Sequence, residues 1–158
     1  MYHSPLALLA MAISVAPAPI ALWKGDQAAR IAGVASALNA VFLPASRIFL
    51  QQHVGEVVQL AFDFVWAIGL LMLVVRFAYR WLGVTMLLQA VQFSLHAYYL
   101  VMDLPKDVVH AWVNNLDAIG ISLSIVAGTF LAWRRRVALA NEAAELAARR
   151  SQRASTAA

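Results

Sequence analysis

Residues Leu87 to Asp103 read LLQAVQFSLHAYYLVMD. The stretch lies in a long apolar run, yet Gln89, Gln92, His96 and Tyr99 recur in it at spacings of three, four and three. On an α-helix those offsets fall on one face. A polar stripe on a segment of membrane length is costly unless its groups find partners or serve a function. The spacing therefore predicts a spanning helix with one polar edge, and neighbours that carry polar edges of their own.

Two further segments supply such edges. Val54 to Val75 carries Glu56, Gln59 and Asp63 at spacings of three and four. From about Val109 to Trp133, His110, Asn114 and Asp117 are spaced four and three, with Ser124 seven further on. Each set shares a helical face.

Composition sets the solvent. Of 158 residues, 63% are hydrophobic and 13% charged, with a mean hydropathy of +0.72. A soluble domain has about 25% charged residues. Here the polar surface is too small to cover a water-soluble globule. The charges are also clumped, leaving apolar runs of roughly the 20 residues that a spanning helix requires. The absence of cysteine excludes disulfides, thiolate catalysis, Cys-ligated zinc and iron–sulfur clusters. A pI near 10.0 is compatible with nucleic-acid binding, but the basic residues concentrate in short inter-helix loops and the C-terminal tail, where topology accounts for them. No nucleic-acid partner is expected.

The expected fold is an all-α, polytopic transmembrane bundle of about five spans, at 5–23, 28–50, 54–75, 81–102 and 109–133. Together they form one membrane domain over 1–136. The first run lacks the basic leader of a signal peptide, since Met1 to Ser4 carries no Lys or Arg. Ser4-Pro5 reads as an N-cap with proline at the first helical position, and Pro17 and Pro19 should kink or break the helix. Lys24 to Gln27 is a turn. The second span is the weakest, because Asn39, Pro44 and Arg47 fall in it. It is a full helix with a snorkelling Arg47, a re-entrant segment or a surface helix. If it crosses, Lys24, Arg30, Arg76, Arg80, Arg134, Arg135, Arg136, Arg149, Arg150 and Arg153 lie on one side, and Arg47 and Lys106 on the other. If it does not, Lys24 and Arg30 change sides. The positive-inside rule favours the first split, with the N-terminus outside and the C-terminus in the cytoplasm. Residues 137–158 form a basic, Ala/Arg-rich tail, expected to be helical and then disordered. Arg134, Arg135 and Arg136 at the membrane edge attract anionic lipid headgroups and anchor the topology.

Depth then brings the stripes together. At about 1.5 Å per residue, Asp63 lies roughly 13 Å below the outer end of its helix, His96 roughly 9 Å, Gln92 roughly 15 Å and Asp117 roughly 10 Å. Ala67 to Val75, the inner half of the third span, has no polar side chain. Glu56, Gln59, Asp63, Gln89, Gln92, His96, Tyr99, Asn114 and Asp117 are thus expected to converge in the outer half of the bilayer. Such a cluster serves either as interhelical glue, at about 0.6 kcal/mol per hydrogen bond, or as an outward-facing pocket for a small molecule, ion or proton. Gly120, Ser124 and Gly128 form two small-xxx-small steps, a helix-packing face for a neighbour in the bundle or another subunit.

Other chemistry finds little support. Glu56, Asp63, His96, His110 and Asp117 are suitable metal ligands, but no two share a helix at H-E-x-x-H spacing. Bis-histidine haem needs two histidines at matched depth, and only His96 is well inside a span; His3, His53 and His110 are at edges. Trp66, Phe93, His96 and Tyr99 include quinone-pocket residue types, but aromatics at helical spacing more often pack. No metal and no cofactor is expected. Ser94 lies two residues before His96, on another face, so the two do not pair as nucleophile and base. No G-x-S-x-G, phosphate-loop or zinc-protease motif appears. There is no internal repeat, and an odd number of spans fits poorly with two inverted transporter halves in one chain. The layout is that of small multi-span proteins of a bacterial inner membrane. The leading expectation is a non-enzymatic accessory, assembly or structural subunit of a membrane complex, or a self-associating one. The alternative is a small oligomeric transporter, channel or ligand-binding protein using the outer pocket.

Overall fold

A computed structural model describes residues 12–156, excluding the side chains of 43–48, 52, 151 and 153–156. The expected start of the first span, with Ser4-Pro5, lies outside the described residues. Five helices follow one another: α1 (Pro17–Lys24), α2 (Gln27–Phe49), α3 (Gln52–Phe77), α4 (Arg80–Val101) and α5 (Val108–Thr156). The described residues contain no strand.

Each boundary has a local cause. A helical turn at 12–15 precedes α1, and the Ala16 N–H donates to the Ala12 carbonyl at 3.0 Å. Pro17 and Pro19 lack an N–H and interrupt the ladder, yet Ala16 keeps a right-handed helical backbone. Gly25 turns extended and ends α1. Asp26 Oδ1 then accepts the Ala29 N–H at 2.9 Å and so starts α2. Between α3 and α4 the turn rests on Ala78, a non-glycine residue in the left-handed region at φ 51°. Asp107 caps α5: its Oδ1 accepts the His110 N–H at 2.8 Å, while its carbonyl accepts the Ala111 N–H at 3.1 Å. From there α5 continues unbroken for 49 residues, about 74 Å at 1.5 Å per residue. The helical part of the expected tail thus reaches Thr156.

Among the described residues, three helices are long and apolar enough to cross a membrane: His53–Phe77, Arg80–Val101 and Val108–Arg150. In the fold α4 packs against both α3 and α5, α1 packs on α2 and α5, and α2 also touches α3 and α5. At one end, Lys24 stands 4.2 Å from the centroid of the Trp133 ring, Arg135 lies over Tyr79, and Arg136 donates to the Lys24 carbonyl. We call this the basic end. Because α2 leaves that end beside Lys24 and is joined to α3 at the other, its 23 residues run the length of the bundle.

The distribution of side chains is inverted relative to a water-soluble protein. Phe64, Leu71, Met72, Val91, Leu123 and Phe130 are exposed, while Gln59, Asp63, Thr85, Gln89, His96 and Asp117 are buried. Such a surface suits hydrocarbon, and it forces the interior polar groups to satisfy one another. Towards the basic end the core turns apolar, through Ala28, Ala32, Leu70, Leu73, Leu82, Ile121 and Ile125.

Candidate functional site

The buried face of α4 carries Leu82, Thr85, Gln89, Gln92, His96 and Tyr99, a run of three-and-four spacings. Asp63 from α3 and Asn114 from α5 meet this face, so α4 supplies the centre of the cluster. His96 Nδ1 stands 2.6 Å from Asp63 Oδ2. Gln89 Nε2 donates to Asp63 Oδ1 at 3.3 Å, and Gln92 Nε2 donates to Asn114 Oδ1 at 3.2 Å. Asn114 Oδ1 also lies 3.1 Å from His96 Nε2. Gln59 Nε2 approaches both ring nitrogens of His96, at 3.3 Å and 3.2 Å.

This geometry gives His96 two ways of bonding. With a proton on Nδ1 alone, it donates to Asp63, and Nε2 accepts from Gln59. With protons on both nitrogens, Nε2 donates to Asn114 Oδ1 instead, and the imidazolium faces the Asp63 carboxylate.

The remaining stripe residues sit around this centre. The Tyr99 hydroxyl donates to Asp107 Oδ1 at 2.7 Å. The rings of His96 and Tyr99 pack against His110, with centroids 5.4 Å and 4.8 Å away. Glu56 is drawn out to the rim, where its carboxylate meets Lys106 at 3.1 Å. Asp117 is buried, but its Oδ2 has no hydrogen-bond partner among the described residues, and neither has Gln89 Oε1. A recess of about 20 Å³ touches the cluster between Glu56, Gln59, His96, Tyr99 and Lys106. That is room for about one water molecule. Among the described residues, no group of three or more His, Asp or Glu side chains is placed to hold a metal ion.

Gly120, Ser124 and Gly128 all face α4. A Cβ on Gly120 would come within 2.9 Å of Leu88 Cδ1, and one on Gly128 would run into the Trp81 indole. Ser124 lies between them, its hydroxyl 2.9 Å from both the Thr85 hydroxyl and the Trp81 carbonyl. The Thr85 hydroxyl reaches that same carbonyl at 2.9 Å.

Three residues outside the expected set matter here. Thr85 extends the α4 stripe by one more turn, four residues before Gln89. Asp107 both caps α5 and holds Tyr99; hydrogen bonds from the His110 N–H and the Tyr99 hydroxyl keep its carboxyl below the usual carboxylate range. Lys106 closes the rim against Glu56. A search for relatives finds no matching family, no similar curated protein and no similar solved structure.

Proposed function

We propose that the chain is a non-enzymatic integral membrane component that works by packing its helices against partner subunits or against further copies of itself. Five spans, with the N-terminus outside and the basic end in the cytoplasm, complete this reading. The length of α2 and the gathering of Lys24, Arg135 and Arg136 at one end support that topology. A bacterial inner membrane suits it.

One observation carries the reading. Apart from Asp117 Oδ2 and Gln89 Oε1, the polar side chains of this cluster bond to one another, and the recess beside them has room for about one water. A substrate site needs several hundred cubic ångströms with polar groups left over for the ligand. Between this cluster and the basic end lies the apolar layer of Leu70, Leu73, Leu82 and Ile125. Beside that layer the Thr85 and Ser124 hydroxyls bond to each other and to the Trp81 carbonyl, and the Thr129 hydroxyl is taken up by the Ile125 carbonyl.

The alternative is proton or small-ion handling by an oligomer. It is favoured by the two bonding arrangements of His96 between Asp63 and Asn114. Extraction in a mild detergent, followed by native mass measurement of the intact assembly, separates the two readings. Recovery with other membrane proteins, or with copies of itself, at fixed stoichiometry supports the packing role. The doubly substituted Asp63→Asn, Asp117→Asn chain is then expected to assemble normally, because amides still hydrogen-bond. A solitary monomer showing turnover refutes the proposal. So does a reconstituted proton flux that the double substitution abolishes.

A further inference from the structure

At the basic end, a cavity of about 610 Å³ opens between the α3–α4 turn, the start of α4 and the middle of α5. Its volume falls within the range of small-molecule sites, about 300–1,000 Å³. Three arginines line it, Arg80, Arg135 and Arg136. Its carboxylate, Asp26, is already engaged: one oxygen starts α2 at Ala29, and the group also accepts the Tyr79 hydroxyl. Burial and the Asp26 carboxylate together raise the Tyr79 phenol above its ordinary range, so Tyr79 stays a neutral donor. Among the described residues none of the three arginines forms an ion pair, although Arg136 also donates to the Lys24 carbonyl. The cavity therefore keeps an unbalanced positive charge.

The rest of the wall is of a different kind. Phe77, Trp81, Leu131 and Leu139 make it apolar beside the arginines, and the missing side chain of Gly128 leaves room for the indole. The Tyr79 and Trp81 rings mark the level at which amphipathic side chains meet lipid headgroups. A wall with cations at its mouth and hydrocarbon behind them complements an amphiphile with an anionic head. Basic pockets between helices at a cytoplasmic membrane face recognise acidic lipid headgroups in this way.

We propose that this cavity binds one anionic glycerophospholipid, its phosphate held by Arg80, Arg135 and Arg136 and its acyl chain lying along Phe77, Leu131 and Leu139. The site is distinct from the Asp63–His96 cluster and does not depend on whether the chain serves as a packing subunit or handles protons. It also differs from a diffuse basic collar, because the arginines come from two helices and line one cavity.

The test uses the full chain in nanodiscs of phosphatidylcholine containing a small fraction of phosphatidylglycerol, with retained lipid counted by native mass spectrometry. Wild type is expected to retain one phosphatidylglycerol in preference to phosphatidylcholine. Arg80→Gln with Arg135→Gln should weaken retention roughly thirty-fold, from about one headgroup interaction lost per arginine. Arg149→Gln with Arg150→Gln removes the same charge from the exposed tail and should leave retention unchanged. Ala132→Phe fills the cavity without altering charge, and should expel the lipid even if the double arginine variant folds poorly. The proposal is overturned if the tail variant loses as much lipid as the cavity variant, or if Ala132→Phe retains it. It is overturned equally if millimolar inorganic phosphate displaces the lipid, which would identify a free-phosphate site.

Discussion

Gly83 and Gly128 lie on helices that face each other, and the same substitution should act on them with opposite sign. In a helix interior, alanine is favoured over glycine by about 1 kcal/mol. A Cβ at Gly83 meets nothing within 4 Å, so Gly83→Ala should gain most of that preference. At Gly128 the new Cβ would fall against the Trp81 ring, only 2.7 Å even from Cγ and nearer still to the ring-fusion carbons. A retreat of α4 is opposed by Ser124 of α5, which bonds the Thr85 hydroxyl and the Trp81 carbonyl of α4 at 2.9 Å each. Overpacking of this kind costs about 1–3 kcal/mol. Set against the helix preference, Gly128→Ala should be destabilising by up to about 2 kcal/mol, while Gly83→Ala stabilises by up to about 1. The assay is reversible unfolding of the purified protein in mixed micelles by added sodium dodecyl sulfate, followed by circular dichroism. A double-mutant cycle with Trp81→Leu should recover the loss at Gly128 and leave Gly83→Ala unaffected. Equal stability of the two alanine variants would refute the close approach of α4 and α5 through Gly128.

Two other outcomes follow from the connections. Asp107→Ala removes the cap of α5 and the acceptor of Tyr99, and should lower the unfolding midpoint in the same assay. Because the folded chain holds the Asp107 carboxyl below its ordinary range, this stabilisation is present above about pH 4 and is lost as pH falls further. Wild type should therefore approach the variant in acid, and a gap that stays constant down to pH 2 would contradict the cap. At Ala78, replacement by glycine relieves a left-handed backbone that costs an L-residue roughly 1–2 kcal/mol, so Ala78→Gly should raise the unfolding midpoint. A lowered midpoint would show that the turn is not left-handed.

Periodicity carried much of this architecture. Gln89, Gln92 and His96 share a face because of their spacing, and the price of burying them in a membrane implied polar neighbours on other helices. Asp63 and Asn114 are those neighbours in the structure. Phase alone does not say how far out a residue lies, so Glu56 was grouped with the cluster but is held at the rim by Lys106. Thr85 gives no such signal in the sequence, because a threonine hydroxyl can bond within its own helix, as it does at the Trp81 carbonyl. The Asp107 cap was legible in principle, as an acidic residue just ahead of an apolar run. The basic-end cavity was not. Asp26, Tyr79 and Arg135 are far apart in the chain, and only the tertiary packing brings them to one volume.

The docking of α1 has a consequence for how the protein is made. α1 is buried through Pro17, Ala18 and Ala21 and packs on α5, which is synthesised well after it. Lys24 and Arg136, which join the two, are 112 residues apart. At a translation rate of about 5–20 residues per second, roughly 6–22 s separate them on the ribosome. During that interval the nascent hairpin of α1 and α2 has no α5 to cover its small-residue face. It waits against lipid or the insertion machinery until α5 arrives.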